Sequence, residues 1–190
     1  GETIPTVRNH IVLFILNQGV DPEAVGGKVK GDFVKGKGHG TLVALSARAA
    51  GYGGEIISIS VCDAKGKMPH SKLLEGLKEI WLYRLTHPGT EIVVNMSVGS
   101  TYRDPLEEFV IGEIYRQGGV LISAAGNENT FRPSYPAGYD KVIAVASSKN
   151  GKKAEYSNYG KSVDISASGE VVKDIDFEKI NSDELLAEIL

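Results

Sequence analysis

Six short apolar runs, rich in valine and isoleucine, alternate along this chain with longer segments of helical pattern. The runs cover 11–16, 56–61, 92–96, 120–123, 142–146 and 163–166, and the helical segments 39–50, 71–86 and 105–117. Most of the runs are apolar at odd and even positions alike, so each strand must be covered on both faces. That is the pattern of a parallel sheet buried between helices. Strand–helix–strand alternation implies βαβ crossovers. The fold class expected is α/β, a doubly wound, mainly parallel sheet with helices on both faces, and C-terminally shortened.

Three stretches break the rhythm. Residues 21–38 are rich in glycine and lysine and read as loop, as do 127–141, which hold Pro133 and Pro136. Residues 170–190 form a charged tail of different composition, in which Asn181 and Glu184 fit a capping box for a last short helix. The chain is read as one domain over 1–190 with 170–190 as a divergent tail. It opens Gly1-Glu2-Thr3, and is therefore expected to have been processed or cut.

Composition removes several classes of function. With 42% hydrophobic and 24% charged residues, the chain is neither disordered nor fibrous. A net charge of −3 gives no basic face, so no nucleic acid and no acidic membrane surface is expected as partner. No stretch approaches the ~18 apolar residues of a membrane span. The single cysteine, Cys62, closes an apolar run and reads as an inert buried thiol. No metal and no cofactor is expected.

In an open parallel sheet, sites form beyond the carboxyl ends of the strands, and four segments fall there. In Gly38-His39-Gly40-Thr41, a histidine opens a helix of small residues. It suits a general base, and equally a loop histidine beside a flexible turn. Asn95-Met96-Ser97-Val98-Gly99 leaves a strand end; its backbone could pair with an extended peptide, or be an ordinary exit loop. Ser123-Ala124-Ala125-Gly126-Asn127 ends another strand, and the Asn127 amide fits an oxyanion donor or a turn asparagine. Tyr135-Pro136, an aromatic before proline, is a candidate for a cis bond, with trans the commoner form for any such pair.

Taken in order, Gly-His-Gly-Thr-x-Val-Ala, Asn-Met-Ser-Val-Gly, Ala-Ala-Gly-Asn, Tyr-Pro-Ala and Val-Ile-Ala-Val-Ala resemble the catalytic domain of the subtilisin-like serine proteases, the subtilases (peptidase family S8), over about 11–169. The resemblance implies His39 as triad base and Asn127 as oxyanion-hole donor. It implies Ser97, Val98 and Gly99 along one side of the first specificity pocket, with Ala124, Ala125 and Gly126 along the other. It also implies a cis turn at Tyr135-Pro136.

Two departures bear on activity. Where the family has its triad aspartate followed by Ser or Thr, this chain has Asn17 and Gln18. A neutral asparagine can favour the wrong histidine tautomer, and the equivalent change in a related triad costs roughly 10⁴-fold. Asp21 lies past the glycine turn and is a poor substitute. Nowhere in the 190 residues is there a Gly-Thr-Ser-x-Ala nucleophile motif, and without a nucleophile there is no acyl-enzyme. Leu42 and Leu45 replace family histidine and glycine and are expected to crowd the helix against the sheet.

The reading is a subtilisin-like serine peptidase fold that is catalytically inactive as given, a pseudopeptidase or peptide-binding module. The alternative is a truncated part of an active endopeptidase whose nucleophile lies beyond this chain or in another. The partners implied are an extended peptide or protein segment, with self-association or a second chain covering the missing serine helix. A nucleotide-binding reading fails: Gly36-Lys37-Gly38-His39-Gly40 follows no convincing strand and matches no phosphate-loop spacing.

Overall fold

A computed structural model of the chain describes residues 10–169. The tail of 170–190 and its capping box lie outside the described residues. Eight strands form one sheet. They are β1 (His10–Asn17), β2 (Val29–Gly31), β3 (Glu55–Ser60), β4 (Thr90–Met96), β5 (Val120–Ala124), β6 (Val142–Lys149), β7 (Lys152–Lys153) and β8 (Ile165–Ser168). The helices are α1 (Pro22–Val25), α2 (His39–Ala49), α3 (His70–Thr86) and α4 (Pro105–Arg116). The sheet order is β2-β3-β1-β4-β5-β6-β7, with β8 also on β6, and every pairing is parallel except β6 with β7.

β1 lies at the centre because nothing in it needs water: from Val12 to Leu16 every side chain is buried. Phe14 and Leu16 face α3 and α4, in a core with Leu77, Ile80, Ile111 and Ile114. Leu13 and Ile15 face the other way, against Ala44 and Leu45 of α2. Helices therefore cover both faces, as the all-apolar strands require. α4 starts where its chemistry puts it: Asp104 caps it through the N–H of Leu106, Pro105 opens it, and Glu107 and Glu108 sit in its first turn. α2 packs close to the sheet through Gly40, where a Cβ would run into the carbonyl oxygen of Gly19.

Coverage of the α2 face stops part-way. The register aligns Asn95 with Ile122, Ile122 with Ile143, and Val145 with Ile165, so these share the side of the sheet that α2 covers at β1. Over β5, β6 and β8 that side is open among the described residues: Val120, Ile143 and Ile165 are 42%, 36% and 56% exposed.

Each of the six apolar runs holds a strand, the last displaced to Ile165–Ser168 from the expected 163–166, and the three helical segments are helices. Residues 21–38 are less simple than the expected loop, since α1 and the edge strand β2 lie within them. Leu45 does not crowd α2 off the sheet; it is buried in the core on that face. Tyr135-Pro136 is cis.

Candidate functional site

The chain passes from β3 on one side of β1 to β4 on the other, so the strand order reverses around β1, and ligand crevices open at such reversals. Asn17 is the last residue of β1 and Ser97 follows β4. The Nδ2 of Asn17 donates to the Ser97 carbonyl at 3.2 Å, across the crevice. His39, the first residue of α2, comes in above them, with its Nδ1 3.0 Å from Asn17 Oδ1.

This network decides the amide's orientation and the ring's tautomer. The backbone N–H of Gln18 can only donate, and it donates to Asn17 Oδ1 at 2.9 Å. The Ser97 carbonyl can only accept, which fixes Nδ2 on that side. Oδ1 is left facing His39 and can only accept, so the Nδ1 of His39 carries the hydrogen and Nε2 keeps its lone pair. The expected wrong tautomer is therefore corrected: Asn17 is held with its oxygen toward the ring. What asparagine still lacks is charge. Among the described residues no carboxylate stabilises an imidazolium, and burial pushes the His39 pKa below its usual value.

Gln18 has a role that sequence reasoning missed. α2 has no side-chain cap from Gly38. Instead Gln18 Oε1 accepts from the His39 N–H at 3.2 Å, while Nε2 donates to the carbonyls of Asp63 and Ala64 at 3.2 and 3.4 Å. One side chain thus ties the histidine helix to the loop after β3. Asp21 is occupied elsewhere: it caps α1 and accepts from the Gly36 N–H at 2.6 Å.

A cleft of about 530 Å³ opens beside this dyad. Asn17, Gln18 and His39 form its floor, Cys62, Lys67 and Met68 one rim, and Ser97, Val98 and Gly99 the other. Ser97 is the one serine among these lining residues, and its hydroxyl donates to Asn95 Oδ1 at 2.9 Å. The Cys62 thiol is half-buried, and burial together with the Asp63 charge pushes its pKa up, as an inert thiol requires. Gly99 is exposed and outside any strand ladder, whereas the next residue, Ser100, is pinned to Tyr135 by two backbone hydrogen bonds of 2.9 and 2.8 Å.

Ala124, Ala125, Gly126 and Asn127 do not line this cleft. They lie at the carboxyl end of β5, one strand beyond β4, with Asn127 exposed. Asn158, buried and unremarked in the sequence, holds that loop. Its Nδ2 donates to the Ala125 carbonyl and to Glu128, and its Oδ1 accepts from the N–H groups of Glu128 and Thr130. Gly126 has a φ of +110°, and a Cβ there would strike the Asn158 amide.

A family-wide sequence profile, that of the Subtilase family, matches residues 21–187. Similar proteins include the minor extracellular protease Epr of Bacillus subtilis strain 168, 32% identical over 143 residues, covering 70% of this chain and 21% of that protein. Thermitase of Thermoactinomyces vulgaris is 31% identical over 163 residues, covering 75% of this chain and 56% of its own. The chain thus spans about half or less of the length of these relatives. A cold-adapted subtilisin-like serine proteinase of known structure superposes with a TM-score of 0.73 at 22% identity, over 84% of this chain and 63% of that one. A psychrophilic protease, S41, superposes at 0.72 with 24% identity, over 84% and 66%. These likenesses show a common fold.

Proposed function

Because the chain belongs to the subtilase family, we propose that it supplies the peptide cleft and general base of a subtilisin-like site, and that alone it forms no acyl-enzyme. One observation carries the reading: His39, held by Asn17 with Nε2 open, lies in a cleft whose one lining serine is committed to Asn95. No hydroxyl there donates to the imidazole. The reading assigns three acts to this chain's own residues. Gly99 and its neighbours pair with an extended peptide as an added strand. Nε2, kept neutral near pH 7 by burial, accepts a proton from a nucleophile. The Asn127 amide, exposed one strand beyond the cleft on the loop that Asn158 holds, donates toward a developing oxyanion, a role that rests on the family resemblance. The test is a ¹⁵N–¹H titration with a pool of acetylated, amidated hexapeptides. Shifts concentrated at Ser97–Gly99 support the reading, and unchanged spectra contradict it.

A second reading, part of a working serine endopeptidase, is favoured by the same dyad. A histidine held in the base-competent tautomer is of use only with a nucleophile, and the chain spans 21% and 56% of two similar proteases. A Gly-Thr-Ser-x-Ala motif in the reading frame after Leu190 would establish it; a stop codon there would remove it. In either case the reading includes a cover for the sheet face exposed at Val120, Ile143 and Ile165: residues 170–190, a second chain or, in the second reading, the segment that carries the serine.

A further inference from the structure

The amino ends of α3 and α4 meet on the helix-covered side of the sheet, and three potential metal ligands meet with them. His70 is the first residue of α3, Asp104 is the N-cap of α4, and Glu107 lies in its first turn. Asp104 and Glu107 share one helix start, but His70 lies 34 residues before Asp104, and only folding brings it to them. The His70 Nε2 lies 2.9 Å from Asp104 Oδ2, and one donor atom from each of the three lies within 4.8 Å of the others. Asp104 and Glu107 are buried, at 8% and 3% exposure, while the His70 ring reaches solvent and stands edge-on to Tyr102 at 4.3 Å.

The arrangement is not ordinary capping. Asp104-x-x-Glu107 is the spacing of a capping box, in which the glutamate would turn back to the Asp104 N–H. That N–H instead donates to the Tyr139 hydroxyl at 2.8 Å, and the hydroxyl donates to Glu107 Oε2 at 2.9 Å. Tyr139, itself buried, thereby aims the Glu107 carboxylate at Asp104 and His70, as outer-shell donors orient ligands in metal sites. Burial, together with the nearby Asp104 charge, holds the Glu107 carboxyl above the usual carboxylate range. The half-exposed His70 supplies at most one positive charge against two carboxylates. The amino-terminal dipoles of the helices favour the carboxylates and oppose a bare cation, so an ion needs both carboxylates ionised.

We propose that His70, Asp104 and Glu107 bind one divalent ion of the zinc class. An imidazole nitrogen with two carboxylate oxygens suits zinc, cobalt or nickel better than calcium or magnesium, which prefer oxygen throughout. Tetrahedral zinc bonds of roughly 2.0–2.2 Å put ligand atoms about 3.3 Å apart, between the 2.9 Å His70–Asp104 contact and the 4.8 Å limit of the cluster. Three protein ligands leave a fourth position for water on the exposed side of His70. α3 follows the rim carrying Lys67 and Met68, and α4 follows the rim carrying Ser97–Gly99. One bound ion joins the bases of both rims of the cleft.

The test uses the full chain, stripped with chelator and titrated with Zn²⁺ by calorimetry and thermal melting. His70→Ala removes an exposed ligand at little risk to folding; Glu107→Gln keeps an acceptor for Tyr139 and loses the charge. The site predicts one Zn²⁺ equivalent that raises the melting temperature with concentration. His70→Ala should lose that equivalent and its melting shift while melting near the parent without metal. Glu107→Gln should weaken the same equivalent at least tenfold, and Ca²⁺ should not substitute. Equal stoichiometry and equal melting shift in His70→Ala would overturn the assignment, as would no zinc equivalent in the parent. A Ca²⁺ shift as large as that of Zn²⁺ would overturn the ion class.

Discussion

At the scale of single residues, the account turns on Asn17. Its amide is locked by one obligate donor, the Gln18 N–H, and one obligate acceptor, the Ser97 carbonyl. It therefore directs His39 as a carboxylate would, without supplying charge. Burial lowers the His39 pKa, so the folded state favours the neutral ring. The unfolded chain binds the proton more readily, and His39 contributes stability above the unfolded value of about 6.5 that is lost as pH falls through the lower folded value. Asn17→Asp should reverse this by placing a negative charge against Nδ1. The His39 pKa, followed by ring-proton NMR shifts, should rise above that of the parent; an unchanged or lower value would mean the ring is not facing residue 17. Asn158→Ala removes four hydrogen bonds from the Ala125–Thr130 loop. Leaving buried partners unsatisfied should cost about 3 kcal/mol, read from denaturant unfolding, with faster amide exchange at Glu128 and Thr130.

At the scale of elements, burial explains what the sequence discloses. β1 is legible because a strand covered on both faces tolerates few polar residues, β5 and β6 because their runs are apolar on both faces although one face is open among the described residues, and α2, α3 and α4 because one apolar stripe recurs. β2 is illegible: Val29-Lys30-Gly31 is a short edge strand, mostly exposed, so nothing forces an apolar pattern on it. α1 is only four residues long, too short for a period to show. The site divides in the same way. His39 and Asn17 could be found because each sits at an element boundary with a motif around it. Gln18, Asn158 and the His70–Asp104–Glu107 cluster could not, because their roles depend on partners that only tertiary folding brings near. Two element-level outcomes follow. Gly40→Ala pushes a Cβ into the Gly19 carbonyl and should cost about 1–3 kcal/mol through displacement of α2. Leu77→Ala, emptying a fully buried site between α3 and the sheet, should cost about 2–5 kcal/mol. Chemical unfolding checks both, and no loss at Gly40→Ala would mean that α2 does not rest on the β1 turn.

At the scale of the whole molecule, helices among the described residues cover one face of the sheet and only part of the other. Exposed apolar area is unfavourable by roughly 25 cal/mol per Å², and a domain's margin is only about 5–15 kcal/mol. We propose that the face left open among the described residues at Val120, Ile143 and Ile165 is covered in the whole protein. Residues 170–190 hold Val171, Val172, Ile175, Phe177 and Ile180 as well as Leu185, Leu186, Ile189 and Leu190. Truncation after Gly169 should lower the melting temperature or change the oligomeric state seen by sizing; if neither moves, these residues cover nothing. The central claim is that this chain carries a subtilisin-like cleft and an oriented base without a nucleophile of its own. The most direct measurement is the intact mass of the purified chain after exposure to a fluorophosphonate. The account predicts an unmodified mass, while a stoichiometric adduct on any serine of this chain would contradict it.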